Sequence, residues 1–419
     1  MPAAVEYESD ENKNIILIHL NQIYHEKSSI RYVAGCPCDS ACSKEDAITE
    51  GGKSQQLNVL TSIQTRSAID GTVMPVGSAI GVHLTATDGT SEFTGVSKAV
   101  TGDQYYENAE NVRFINEAAE NVWASKDETG KNKMLMMSGA DQAKVFAYYP
   151  YTETVTGRGT TATVPVSIQT EGEIEIPEDL QQNDGASAAD GVDLWPAVTS
   201  DDEIDYLYHE TDANYLSAQT TTTARLNMKH ALSRISLRVY ASANAKQAVE
   251  GDESSYYTLT GYSIKNKNEG TELHTVFDGA TLNIADGTIS GTESGGQITR
   301  TVTGYKLDKA SEVGTETATA QAAKRVSNLV FPLASIEADT DGKSSKNIEL
   351  VLQISRVGND GRAVGSTNYY IPFDVTTVKA WSAGMNYTYT IKFTGSSLSI
   401  ETVSVKPWTE TVGGNMEIE

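Results

Sequence analysis

The sequence predicts an all-β protein built as two sandwiches, and three observations carry that expectation. Short runs alternate apolar and polar residues, as in "AIGVHLTATDG" (79–89) and "YTYTIKFTG" (387–395). Such runs suit strands with one buried face. Several end on Asp-Gly, as "ATLNIADGTISG" (280–291) and "IELVLQISRVGNDG" (348–361) show, and these dipeptides favour tight hairpin turns. The composition holds 20 Tyr and 34 Gly with many Thr and Val, and few long runs of helix formers. Antiparallel strands with one buried face per sheet close their cores by packing as sandwiches.

A chain of 419 residues is too long for one ordinary core. Residues 1–56 mix a short apolar stretch, charge, a cysteine cluster and the polar "SKEDAITEGGKSQQ", and read as a leader and tether outside the fold. The polar run Thr220–Thr223 then divides the folded part into an N-terminal sandwich, 57–222, and a C-terminal one, 223–419. The stretch "YYENAENVRFINEAAENVWAS" (105–125) has helix-forming residues but no 3.6-residue apolar period, so strands and loops are expected there.

The balance of 32 basic against 56 acidic residues gives a formal charge of -24, which argues against a nucleic-acid partner. No apolar run approaches the ~18 residues of a membrane helix; the longest near the start is "IILIHL" (15–20). The three cysteines, Cys36, Cys38 and Cys42, all lie in "CPCDSAC", so the fold does not rest on a disulfide framework.

No catalytic constellation stands out, and neither a cofactor nor a metal is expected. The six histidines form no metal-binding pair at the usual spacing, and His83 and His230 sit in apolar strand contexts that suit packed imidazoles. Gly52-Lys53-Ser54 and Gly342-Lys343-Ser344 lack the upstream glycine of a phosphate loop. "DTDG" (339–342) lacks the spaced glutamate of a calcium loop and reads as a turn. Three clustered thiols without a fourth ligand make a poor zinc site.

Three segments invite a functional reading. Val33-Ala34-Gly35-Cys36 fits a bacterial lipobox, in which small residues admit a signal peptidase and Cys36 takes lipid. His25, Glu26, Lys27 and Arg31 interrupt the apolar stretch that should precede it. In "LNVLTSIQTRSAIDG" (57–71), Leu57, Val59, Thr61 and Ile63 share one strand face, and Arg66 follows directly. This is either an ordinary first strand with an exposed loop arginine, or a strand built to be cut away between Arg66 and Ser67. At the other end the apolar phase slips by one between Ile400 and Val403, as a bulge or turn would produce. Residues 398–408 read as a closing strand, and 409–419, with Val412, Met416 and Ile418, as a movable donor strand.

Several phrases together resemble one family. They are "SAIGVHLTATDGT", "KVFAYYPYTE", "DYLYHE", "LNMKHALSRISLRV", "LTGYSIKN", "ATLNIADGTISG", "WSAGMNYTYTIKFTG" and "LSIETVSVKPWTETVGGNMEIE". In order and spacing across 57–419 they resemble the fimbrillins of Bacteroidales, the subunits of surface fibres. The usual Gly-Asp before "IGV" is replaced by Val76-Gly77-Ser78. The resemblance implies two in-line, transthyretin-like Greek-key sandwiches, export as an outer-membrane lipoprotein, and assembly of pilin subunits head to tail. It also implies that a trypsin-like or Arg-specific protease removes the first strand, and that a strand from the next subunit fills the groove. A fibre subunit of this kind supports adhesion to a host or bacterial ligand. The alternative expectation is a lipid-anchored binder of glycan or host protein that does not polymerise, with Trp123, Trp195 and Tyr369–Tyr370 as candidate contact residues.

Overall fold

The computed structural model describes residues 55–408, apart from 64–73, 97–103, 119–121, 140, 182–196, 202, 210–214, 268–276, 294–295, 311–314, 316, 318 and 321–322. Among the described residues almost all regular structure is strand; the helical pieces are single turns such as Glu178–Gln181. The all-β class expected from the alternating runs is therefore what forms. The stretch 105–125 contains the antiparallel pair Val112–Ala118 and Val122–Ser125, in place of a helix.

A seven-stranded sheet runs, in spatial order, Asn58–Ile63, Thr223–His230, Leu207–His209, Lys144–Tyr149, Ala79–Thr85, Val112–Ala118 and Val122–Ser125. Its last strand returns beside its first. The enclosed core holds Leu57, Val59, Ile80, Val82, Phe114, Leu226 and Met228. Strand 223–230 shows why the sequence makes this sheet. Ala224, Leu226, Met228 and His230 are buried while Arg225 and Asn227 are exposed, the two-residue period of a half-buried strand.

Two five-stranded sheets pack against each other around a second core. One runs Ala197–Val198, Arg325–Val330, Ser233–Ala241, Met385–Phe393 and Leu398–Pro407; the other runs Ala363–Asp374, Ser344–Val357, Tyr256–Asn266, Ile298–Lys306 and Glu171–Glu175. Ile235, Leu237, Tyr389 and Ile391 of the first meet Leu259, Ile264, Leu350 and Ile354 of the second. Aromatic edges lock this core: Phe373 lies 5.3 Å from Trp381 and 5.0 Å from Tyr389, and Trp381 Nε1 donates to the Tyr389 hydroxyl at 3.2 Å.

Strand Ser233–Ala241 is buried at every position, although Arg234, Ser236 and Arg238 alternate along it. Polar partners meet that second face: Arg234 Nε donates to Ser327 Oγ at 3.0 Å, and Ser236 Oγ to Asn386 Oδ1 at 2.9 Å. Nearby, Arg300 and Glu203 form a buried ion pair at 2.6 Å. Burial outweighs the guanidinium there and pushes the Glu203 carboxyl up to about 6.

The chain passes between sheets more than once. Thr223–His230, the strand at the expected 222/223 division, pairs in the seven-stranded sheet, and the next strand belongs to a five-stranded one. Thr163–Pro165, Glu171–Glu175 and Ala197–Val198 come from the first half of the chain and pair with strands of the second. A third core, with Phe146, Tyr148, Leu232, Leu282, Phe331 and Trp408, unites residues from both halves. The turn at Asp286–Gly287 presses on this region: Gly287 has φ +76°, and a Cβ there would meet the Tyr208 ring at 2.2 Å.

Candidate functional site: the first strand, its partner and the chain's exit

The opening segment crosses from one side of the first core to the other. Gln55–Gln56 pairs antiparallel with Met136–Met137, and Leu57 N donates to the Leu135 carbonyl at 2.9 Å. Asn58 N then donates to the Thr222 carbonyl at 2.8 Å, and Asn58–Ile63 runs parallel to Thr223–Met228. Leu57, Val59 and Thr61 are buried, whereas Asn58 and Leu60 face outward, Leu60 at 40% exposure. The backbone of Ile63 registers with Met228; the Ile63 side chain lies outside the described residues.

This strand ends the sheet order, so it pairs on one side. Without it, Thr223–His230 becomes the sheet edge, with its main-chain donors and acceptors free. The places of Leu57 and Val59 become apolar hollows in the first core. Burying those two side chains is worth about 1.5–3 kcal/mol each. A strand entering the gap gains that burial and a ladder of hydrogen bonds.

The same strand, Thr223–His230, meets the other end of the chain. Leu398–Pro407 pairs antiparallel with Met385–Phe393 at a sheet edge, with its register shift between Thr390 and Ile391. Thr390 faces Thr402 and Ile391 faces Ile400, so Glu401 is the extra residue. The bulge falls where the apolar phase slips. Trp408 then turns inward and is fully buried. Its backbone N–H donates to the Gly384 carbonyl at 2.9 Å, its ring stacks on His230 at 4.5 Å, and the Arg234 guanidinium lies 5.6 Å from it. His230 Nδ1 is 2.9 Å from the buried Asp205 carboxylate, which sets the ring's orientation. Thus one strand pairs with the opening segment and holds, at its end, the last described residue.

Cys36, Arg66, Ser67, Val412, Met416 and Ile418 lie outside the described residues, as does Trp195. Of the other aromatics, Trp123 is half-buried against the first core, Tyr369 packs on Phe393 at 5.2 Å, and Tyr370 is 60% exposed. The aspartates of "DTDG" cap their own turn, Asp341 Oδ1 accepting from Lys343 N and Ser344 N at 2.8 Å. Among the described residues no group of three His, Cys, Asp or Glu could hold a metal, and no helix is long and apolar enough to cross a membrane. His83 is buried, and desolvation pushes its pKa down to about 4. Sequence reasoning missed both the pairing of 58–63 with 223–228 and the seat of Trp408 on His230.

These features define an all-β protein whose first core is completed by its own N-terminal segment. The fimbrillin-like family model matches residues 65–408, and the chain belongs to that family of pilus and adhesion proteins. The match begins just past the first strand and ends on Trp408. No curated protein matches the chain. Among solved structures, a candidate cell adhesion protein of Bacteroides uniformis is 17% identical, with a TM-score of 0.44, covering 84% of this chain and 98% of that one. Another from Bacteroides ovatus is 13% identical, with a TM-score of 0.45, covering 85% and 98%. A fimbrial protein of Bacteroides ovatus is 11% identical, with a TM-score of 0.28, covering 82% of this chain and 49% of that chain.

Proposed function

We propose that this protein is a non-enzymatic structural subunit of a bacterial surface fibre that polymerises by protease-triggered strand exchange. The observation that carries the reading is the opening strand: one-sided, parallel, and plugging an apolar core with Leu57 and Val59. In this reading the chain is exported as a lipoprotein through Cys36, and a trypsin-like protease cuts between Arg66 and Ser67. Strand 58–63 leaves, and residues 409–419 of a neighbouring subunit enter beside Thr223–His230 with Val412, Met416 and Ile418 turned inward. Because donor and groove are different surfaces, the contact propagates head to tail. Fixing Trp408 on His230 gives the donor a defined point of departure. The fibre presents its subunits for adhesion to a host or bacterial surface.

Electron microscopy and size-exclusion chromatography after trypsin treatment test this. Wild-type protein should give filaments. Arg66→Ala should remain monomeric and uncut, and a chain lacking 409–419 should be cut and remain folded yet not grow. Filaments of normal length from the truncated chain would overturn the donor assignment, and filaments from uncut Arg66→Ala would overturn the protease step.

A further inference from the structure

A second concave site lies far from the strand-exchange elements. Strand Ser233–Ala241 starts next to His230 and carries the chain for nine residues, roughly 26 Å from first to last, to the opposite end of its sheet. There a cavity of about 390 Å³ opens under the loop that follows Ala241. This lies within the size range of small-molecule sites. Ala241, Ala245, Ala248 and Leu307 line part of it, and three alanines leave room that larger side chains would fill.

Three lysines line this cavity, Lys246 and Lys306 exposed and Lys309 half-buried. Lys246 comes from the loop, Lys306 ends the strand Ile298–Lys306, and Lys309 follows three residues on. Two lysines elsewhere on these sheets meet carboxylates, Lys265 with Glu349 at 3.2 Å and Lys392 with Glu401 at 3.1 Å. Among the described residues none of the three forms an ion pair. One carboxylate, Glu253, shares the lining, so the site keeps a net positive charge in a chain of net charge -24.

The frame is fixed before any ligand arrives. Leu307 N donates to the Tyr257 carbonyl at 2.9 Å and Ala241 N to the Asp308 carbonyl at 2.8 Å, which sets the backbone around Lys306 and Lys309. The loop is tied by Ser255 Oγ to the Asp252 carbonyl at 2.6 Å, and by Asn359 N to Asp252 Oδ2 at 2.9 Å. Lys306 Nζ sits 5.0 Å from the centre of the half-buried Tyr256 ring, so its ammonium is held at the wall.

We propose that this cavity binds the carboxylate-bearing ring of an acidic sugar. The lysines receive the carboxylate, and Tyr256 with the polar lining receives the pyranose ring and its hydroxyls. A bare inorganic anion uses the charge but leaves most of the volume empty. The site does not depend on the strand-exchange reading, because it shares no residue with the opening strand, Thr223–His230 or Trp408.

Saturation-transfer NMR on the full chain tests this, with glucuronic acid and N-acetylneuraminic acid as probes and glucose and sodium acetate as comparators. At least one acidic sugar should bind, and neither comparator should displace it at equal concentration. Lys306→Ala/Lys309→Ala should weaken binding roughly tenfold or more without lowering the melting temperature, since a hydrogen bond to a charged group is lost. Glu253→Gln should strengthen it by removing a like charge. Displacement by acetate as strong as by the sugar would mean an adventitious ion only and overturn the proposal. So would an unchanged signal from the lysine variant, or no binding of either acidic sugar.

Discussion

Two long sheet edges, one at each end of the described chain, are built in opposite ways. Asn58–Ile63 is six residues long, uncharged, without proline or bulge, and pairs parallel to its neighbour. Leu398–Pro407 is ten residues long, pairs antiparallel, is bulged at Glu401 and carries Glu401, Lys406 and Pro407. Charge, bulge and proline are what proteins use to stop an edge from recruiting another strand. The last strand is guarded by all three, and Lys392 pins Glu401 at 3.1 Å. The first strand has none of them, yet it buries Leu57 and Val59 completely enough to close a core. The other long edge strand, Ala363–Asp374, includes Pro372. The comparison teaches that burial and edge protection are separable. One end is anchored and shielded; the other closes a core with an edge that carries none of these guards.

The largest expected effect contrasts the two ends directly. Leu57→Ala/Val59→Ala should destabilise the seven-stranded sheet by about 4–7 kcal/mol, from lost transfer energy and residual cavities. Val403→Ala/Val405→Ala, on a strand that is mostly exposed, should cost about 1 kcal/mol or less. Urea midpoints report the totals, and hydrogen exchange along 223–230 locates the first. If protection at 223–230 survives the Leu57/Val59 change, the opening strand is not what closes the core.

A smaller effect separates the seven-stranded sheet from the five-stranded sheets by pH. His83, on the seven-stranded sheet with its ring beside Tyr148, is held at about 4 against 6.5 in the unfolded chain. The unfolded state therefore binds more protons across that window, and stability falls as pH drops from about 6.5 to about 4, by about 3 kcal/mol in all. Glu203, beside the second core, is raised to about 6 from 4.5. There the folded state binds more protons, so its contribution improves as pH drops from about 6 to about 4.5, by about 2 kcal/mol. The two slopes oppose each other. His83→Phe should therefore gain on wild type as the medium is acidified from pH 7 to pH 4.5, measured as the difference in urea midpoint. A pH-independent difference would place the imidazole in a better-solvated setting than its burial indicates.

How much of this could be read from the residues alone follows from range. Alternation within 57–61 marks the buried face because its cause, the two-residue pleat, is local. The slip between Ile400 and Val403 marks the bulge for the same reason. Asp286-Gly287 marks its turn because left-handed φ is a property of one residue. Nothing near Leu57 announces a parallel partner at Thr223, and nothing near Trp408 announces His230. Those pairings depend on chain closure over more than a hundred residues and leave no periodic trace. The Thr-rich run is a turn region in which Ser217 bonds Thr221, leading into another strand of the same sheet. The Glu203–Arg300 pair looks in sequence like two ordinary surface charges, because burial is imposed by the sheets around it.

The smallest expected effect gives the sharpest test of what the unguarded edge is for. Leu60 points away from the core and is 40% exposed, so Leu60→Lys removes little buried surface. The uncut protein should lose no more than about 0.5 kcal/mol. The same lysine places a charge on an edge that has none, which should block any strand that docks directly against it. If strand 58–63 is discarded before assembly, the substitution travels with it, and protease-treated Leu60→Lys should form filaments of wild-type length. If the strand is retained and its free edge is itself the joint, the lysine stays in the interface and growth should stop. Filament length by electron microscopy, beside a urea midpoint for the uncut protein, separates these outcomes. Short filaments from a stably folded variant would show that the first strand is a permanent part of the fibre and not a plug.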